Sequence, residues 1–402
     1  MSRLESVQIA SPAFKADPYP FYARLRAETP VYRVALPNKQ PAWLVTRYDD
    51  VAALLKDPRF AKDRQNALTK KQMASQPQVP ALFAPLTRNL LDSDDPDHAR
   101  LRRLAQTAFT AKRIEVIVDR TQAACDERLD RLKGRRFDLM GEFALPVPVM
   151  VISELLGVPQ ADREKFGRWS KTLSQNTMTP MRMLLSFPHL VCFVRYLRRL
   201  IAQKQKQPQD DLVSALVQVQ ATGQLDEDEL LAMVALLLTA GHETTTNLIG
   251  NGMLALLRHL DQFERLRAQP ELIETAIEEL LRFESPVEMS TNRYAREDLE
   301  IAGTPIARGE LVLGVIASAN RDESQFPDAH TLDIARRPNL HLAFGQGGHY
   351  CLGAALARLE GKIALETLLR RLPNLRLTQA TNSLRWRRGL VLRGLESLAV
   401  SF

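Results

Sequence analysis

A mainly α-helical single domain with a minor β region is the fold class this 402-residue chain predicts. Three observations carry it. Apolar residues recur at helical spacing through most of the span from about 95 to 285, and again from about 351 to 372. Period-two alternation is confined to about 30–65, 290–315 and 375–402. The polar breaks between helical stretches, such as RLKGRR and QKQKQPQDD, read as connectors and not as linkers between domains. Length alone would suggest two or three domains. The residues that carry chemistry are instead scattered from position 98 to 353, so one domain over 1–402 is expected, a helix-rich fold around a single buried site.

Taken in order, the proline-dotted first 30 residues hold one short helix pattern, FYARLRAE. VYRVAL and AWLVTR flank PNKQP and read as a β-hairpin. DDVAALLKD follows as a helix with Asp49 or Asp50 as N-cap. Residues 66–95 lack periodicity and read as a long loop. Helix patterns then succeed one another from DHARLRRLAQTAF onward. The longest begins after Asp226, whose pairing with Glu229 three residues on resembles a capping box, and runs to about Leu260, roughly 50 Å at 1.5 Å per residue. RYAREDLEIAGTPIARGELVLGVI alternates with breaks at AGT and RGE, as a small sheet would. A last helix follows Cys351, and short strands close the chain, which contains no internal repeats.

Composition excludes several function classes. The most apolar stretch, LLAMVALLLTAG, is too short to span a bilayer, and the N-terminus has no signal-peptide run, so a soluble, cytoplasmic monomer is expected. Three cysteines make no disulfide framework; Cys125 and Cys192 read as buried core thiols. The net charge of +7 comes from scattered basic patches without any nucleic-acid module, so an acidic protein partner is expected and nucleic acid is not.

Cys351 stands apart. Residues 344–353 read Phe-Gly-Gln-Gly-Gly-His-Tyr-Cys-Leu-Gly and lead into the amphipathic helix AALARLEGKIALETLLRRL. The glycines suit a backbone that bends tightly and approaches something closely. The helix N-terminus favours a thiolate over a thiol. A catalytic nucleophile would need a partner base, and His349 two residues away is poorly placed for that. A structural thiol leaves the glycines unexplained. Zinc or an iron–sulfur cluster would need further cysteines nearby. One thiolate on haem iron remains.

The same segment, through Phe344, Gly347, Cys351 and Gly353, resembles the haem-binding signature Phe-x-x-Gly-x-x-x-Cys-x-Gly of the cytochromes P450. Glu279-Leu280-Leu281-Arg282 resembles the family's Glu-x-x-Arg pair; Glu264-Arg265-Leu266-Arg267 fits the same spacing but reads as a solvated helix face. Ala240-Gly241-His242-Glu243-Thr244 resembles its oxygen-activation motif, within the longest helix pattern. The resemblance runs from the proline-rich start to RGLESLAV and is nearest to the bacterial class I type, especially the polyketide- and macrolide-tailoring subgroup.

The resemblance implies the cytochrome P450 fold, a triangular helix-rich domain around buried haem b. Cys351 would be the iron ligand, and Glu279 and Arg282 a buried structural pair. The haem would also touch Ala240, Gly241, Phe344, Gly345 and Gly353, with its propionates on His98, Arg102, Arg293 and His349. The long helix would open locally at the motif to admit O2, with Thr244 hydrogen-bonding it, Glu243 relaying protons, and His242 satisfied by packing or water. The activity implied is insertion of one oxygen atom of O2 into a C–H or double bond of a sizeable apolar molecule such as a polyketide or macrolide, steroid, terpenoid or fatty acid. The substrate would lie against Leu90, Leu91, the 170–195 region, Ala240, Thr244, Met289, Ser290 and Val391. Electrons would come from NAD(P)H through a ferredoxin reductase and a ferredoxin docking near Arg100, Arg103 and Arg358. An H2O2-driven peroxygenase and a non-catalytic haem sensor are the alternatives. Glu243 and Thr244 weigh against both.

Overall fold

Val31–Ala35 (β1) and Pro41–Val45 (β2) pair antiparallel, as the alternating pattern around PNKQP predicts, and the register is Val31↔Val45. They belong to a five-stranded sheet of order β1-β2-β8-β5-β3, where β3 is Phe60–Ala61, β5 Arg293–Ala295 and β8 Leu311–Gly314. The β2–β8 pairing is parallel, so the sheet joins segments far apart in sequence. A β-hairpin of β6 (Leu299–Ile301) and β7 (Thr304–Ile306) turns at Ala302 and Gly303, both with positive φ, where AGT breaks the alternation. A three-stranded sheet of order β4-β10-β9 joins Arg136–Asp138 (β4), Ala399–Ser401 (β10) and Arg376–Leu377 (β9), so one strand of the C-terminal sheet comes from within the helical half.

The structure, a computed structural model, describes residues 7–74, 76, 81–108, 111–163, 165, 169 and 180–402. Within them the helices are α1 (Pro12–Ala16), α2 (Tyr19–Glu28), α3 (Tyr48–Lys56), α4 (Lys70–Ala74), α5 (Asp97–Ala108), α6 (Ala111–Asp130) and α7 (Pro146–Leu155). They continue as α8 (Pro180–Lys206), α9 (Leu212–Ala221), α10 (Glu227–Arg258), α11 (Leu260–Ala268), α12 (Ile273–Phe283), α13 (Ile316–Ala319) and α14 (Ala354–Arg371).

The long helix α10 starts at the capping box read from the sequence. Glu229 N–H donates to Asp226 Oδ1 at 2.7 Å and Asp226 N–H to Glu229 Oε2 at 3.1 Å. Its 32 residues run through the main apolar cores, against α7 on one side and α12 and α14 on others. Glycines let neighbours in. A Cβ on Gly361 of α14 would sit 2.8 Å from Leu248 of α10, and one on Gly241 of α10 would sit 2.9 Å from Ile152 of α7.

Three expectations need correction. Neither Asp49 nor Asp50 caps α3: the helix begins one residue earlier, and Asp322 from a distant loop accepts the Tyr48 N–H at 2.8 Å. The 66–95 segment is not all loop, since it holds α4 and a 3-10 turn at Ala81–Thr87. Cys125 is buried but Cys192 is exposed, because it lies beside, not on, the α8 stripe of Phe193, Val194, Leu197 and Leu200 that faces the core. None of the described helices is long and apolar enough to cross a membrane.

Candidate active site

A cavity of about 290 Å³ lies between α10 and the loop that carries Cys351. Three glycine features shape that loop. Gly345 and Gly347 both have positive φ, near +70°, which other residues rarely adopt. A Cβ on Gly353 would meet nothing within 4 Å, so that position opens on free space inside the cavity wall. Cys351 N–H donates to the Phe344 carbonyl at 2.9 Å, tying the ends of the loop together.

The Cys351 thiol reaches the cavity. Burial raises its pKa, while the Gly353 backbone N–H and the charges of Arg102 and Arg358 pull it down. Burial outweighs the helix terminus expected to favour the thiolate, since α14 begins only at Ala354, three residues on. A sulfur of this kind becomes an anion when a cation bonds to it.

At one part of the cavity stand His98 and Arg102 from α5, Arg293 from β5 and His349 from the cysteine loop, as the sequence predicts. The two imidazole rings lie 3.9 Å apart, tilted by 33°. Lys62, which the sequence reading missed, joins them from the end of β3. Burial first, and then the neighbouring cations, press the His349 imidazole down to about 2 and that of His98 below its ordinary value. Burial brings Arg293 down to about 10. His98 Nε2 and Arg293 Nε are buried without hydrogen-bond partners among the described residues. Two guanidiniums, an ammonium and two imidazoles gathered in one cavity, with the Arg293 Nε–H unpartnered among the described residues, are arranged for an anion that would balance the charge.

α10 supplies a further wall. Ala240, Gly241 and Thr244 line the cavity, with the apolar Leu236, Leu237 and Leu248. The helix is continuous through the motif, so the expected local opening is not observed. Thr244 Oγ1 instead donates to the Ala240 carbonyl at 3.1 Å, and Thr246 Oγ1 to that of His242 at 2.8 Å. His242 is satisfied by the Leu238 carbonyl, 2.9 Å from Nδ1, and its burial pushes it down to about 4. Glu243 is not among the residues that line the cavity and accepts from Arg387 at 3.4 Å, both side chains being largely buried.

Of the residues expected to contact substrate, Leu90, Leu91, Ala240, Thr244 and Ser290 line the cavity. Met289 and Val391 do not. Met289 is fully buried among Tyr22, Leu44 and Leu311, and Val391 offers its carbonyl to the backbone N–H groups of Glu288 and Met289. Pro286 and Val287 take their place in the wall. Part of the 170–195 region, residues 170–179, lies outside the described residues.

Behind the cavity, Glu279 and Arg282 are both fully buried and form a two-pronged pair at 2.7 and 2.8 Å. Arg282 also donates to the carbonyls of Asn320, Ala329 and Thr331, and Glu279 accepts from Asp333 N–H, Arg336 and Asn339. Glu264 and Arg267 pair at 2.7 Å on an exposed face, as expected of the decoy. Of the three docking candidates, Arg103 is exposed, Arg100 is tied to Glu229 and Asp97, and Arg358 forks onto Glu278 at 2.7 and 2.8 Å.

Over residues 6–393 the chain matches the Cytochrome P450 family. It belongs to that family. The cytochrome P450 monooxygenase PikC of Streptomyces venezuelae is 44% identical, over 96% of this chain and 91% of that one. The mycinamicin IV hydroxylase/epoxidase of Micromonospora griseorubida is 43% identical, over 93% and 92%. The solved structure of the bacillaene polyketide synthase cytochrome P450 PksS of Bacillus subtilis superposes with a TM-score of 0.91 at 41% identity, covering 98% of this chain and 99% of that one. The chain therefore has the P450 fold and is a cytochrome P450 monooxygenase, of a family that works with haem iron and O2. The cavity fits that group. A thiol, a glycine-sided opening and a cluster of basic side chains suited to an anion meet in one largely apolar space.

Proposed function

We propose that this P450 binds haem b through the Cys351 sulfur and inserts one oxygen atom of O2 into a C–H or double bond of a sizeable apolar substrate of the polyketide or macrolide kind. The observation that carries the reading is the shared cavity: Cys351, Thr244 and the cluster of His98, Arg102, Arg293 and His349 all line it. When bound, the haem supplies the activation of O2 and the transfer of oxygen.

The protein's own residues do the rest. Cys351 gives an anionic sulfur to the metal, steadied by the Gly353 N–H and by Arg102 and Arg358. His98, Arg102, Arg293 and His349 hold the haem carboxylates. Leu90, Leu91, Leu236, Leu237, Val287 and Leu248 exclude water and accept an apolar substrate. The Thr244 hydroxyl turns from the Ala240 carbonyl to donate a hydrogen bond into the cavity. Glu243, whose carboxylate rests against Arg387, helps to relay protons inward. Electrons come from NAD(P)H by way of a ferredoxin reductase and a ferredoxin. Exposed Arg103 belongs to the docking face, whereas Arg100 and Arg358 are already engaged in internal ion pairs.

Two measurements test this. The reduced protein under carbon monoxide should show the Soret maximum of thiolate-bound haem, and Cys351→His should move it to the position found in histidine-bound globins. With a surrogate ferredoxin and its reductase, a macrolide that shifts the Soret band should consume NAD(P)H and leave a product heavier by one oxygen. A globin-like wild-type spectrum, or turnover supported only by H2O2, overturns the proposal.

A further inference from the structure

Lys62 is a cation that none of the sequence motifs announces. It follows β3, and its backbone N–H donates to Asp94 Oδ1 at 2.8 Å, which fixes the chain there. The residue is only 5% exposed, and its ammonium donates to the hydroxyl of Thr291, a neutral partner. Both residues line the cavity. Burial and the nearby Arg293 bring the ammonium down to about 7, against the opposite pull of Asp92 and Asp94. Lys62 lines the same cavity as His98, Arg102, Arg293 and His349. An ammonium buried with one neutral hydroxyl as its hydrogen-bond partner among the described residues is a poor arrangement for the protein alone and a good one around a carboxylate.

We propose that Lys62, presented by Thr291, is a further binding residue for the haem and holds one of its carboxylates. The proposal rests on the haem reading above. A substrate carboxylate offers the same chemistry, and the experiment separates the two sources.

Wild-type, K62M and K62R holoenzymes are compared by three readouts. They are the propionate bending band in the resonance Raman spectrum of the ferric haem, the rate at which haem passes to excess apomyoglobin, and the Soret-shift affinities for dodecanoic acid and dodecanol. K62M should shift the band and lose haem about tenfold faster, the scale of one hydrogen bond to a charged group. K62R should restore most of both, and the preference for acid over alcohol should not change. An unmoved band and an unchanged rate overturn the assignment. If the acid preference alone falls in K62M, the carboxylate is the substrate's and the assignment to haem fails. K62Q replaces K62M, with the same outcomes, should the methionine variant not fold. A wild-type chain without thiolate-bound haem overturns the underlying reading; a haem-loaded wild type with an indifferent K62M overturns this assignment alone.

Discussion

Glu360 is a carboxylic acid in a place where its charge cannot be solvated. It is fully buried on α14, and neither oxygen has a hydrogen-bond partner among the described residues. Burial raises its pKa well above the ordinary glutamate range. The folded state then keeps a proton that the unfolded chain releases above about pH 4.5, so this group lowers stability progressively as pH rises above that point. Glu360→Gln keeps the shape without the penalty. Its melting temperature should exceed that of the wild type by a margin that widens from pH 5 to pH 8; parallel curves would rule the explanation out. Thr244 is the residue-scale test of the chemistry. In Thr244→Ala the hydroxyl that bonds the Ala240 carbonyl is lost while the continuous helix remains. Uptake of O2 should continue at a similar rate, with most electrons recovered as hydrogen peroxide and product yield falling about tenfold or more, on the scale of one positioned proton donor. Fully coupled product formation, measured against NAD(P)H consumed, would remove Thr244 from the mechanism.

At the scale of elements, α10 and α14 cross where Gly361 faces Leu248, and the separation leaves no room for a side chain. The added Cβ would also lie 3.3 Å from Ile277 of α12. Gly361→Ala should therefore cost about 1–3 kcal/mol by overpacking, read from the urea midpoint. Trimming the obstacle in Leu248→Ala should absorb part of that cost, so the double variant should be less destabilised than the sum of the single ones. Strict additivity would mean that the two helices adjust in some other way. The same crossing positions the cavity, since α10 carries Ala240 and Thr244 and α14 continues directly from the cysteine loop.

Across the whole molecule, Glu279 and Arg282 join α12 to the long segment between α13 and the cysteine loop. Arg282 reaches three carbonyls there, and Arg336 and Asn339 return to Glu279. Asn320, whose carbonyl Arg282 holds, also receives the Leu342 N–H through its side chain at 2.7 Å, two residues before the signature begins at Phe344. The pair thus fixes the approach to the cysteine loop from a distance. Glu279→Gln leaves a buried guanidinium without its counter-charge, at a cost of about 3–5 kcal/mol. The variant should unfold at lower urea concentration and release haem faster than wild type. Wild-type stability in that variant would show that the carbonyls alone satisfy Arg282.

By itself the sequence determined whatever depends on neighbours along the chain. The β1–β2 hairpin, the capping box at Asp226 and Glu229, the Glu279–Arg282 spacing and the glycine-bent loop at Cys351 are each written within about fifteen residues, where turn and helix geometry dictate the outcome. Tertiary structure decided what depends on partners arriving from elsewhere. Asp322 took the place of a local cap on α3. Met289 turned into the core formed by Tyr22 and Leu44 and left the cavity wall to Pro286 and Val287. Glu243 found Arg387, and Lys62 joined basic side chains drawn from α5, β5 and the cysteine loop. Local periodicity carries no record of such meetings, because burial and electrostatics act through space, and only the folded chain brings these groups within a few ångströms of one another.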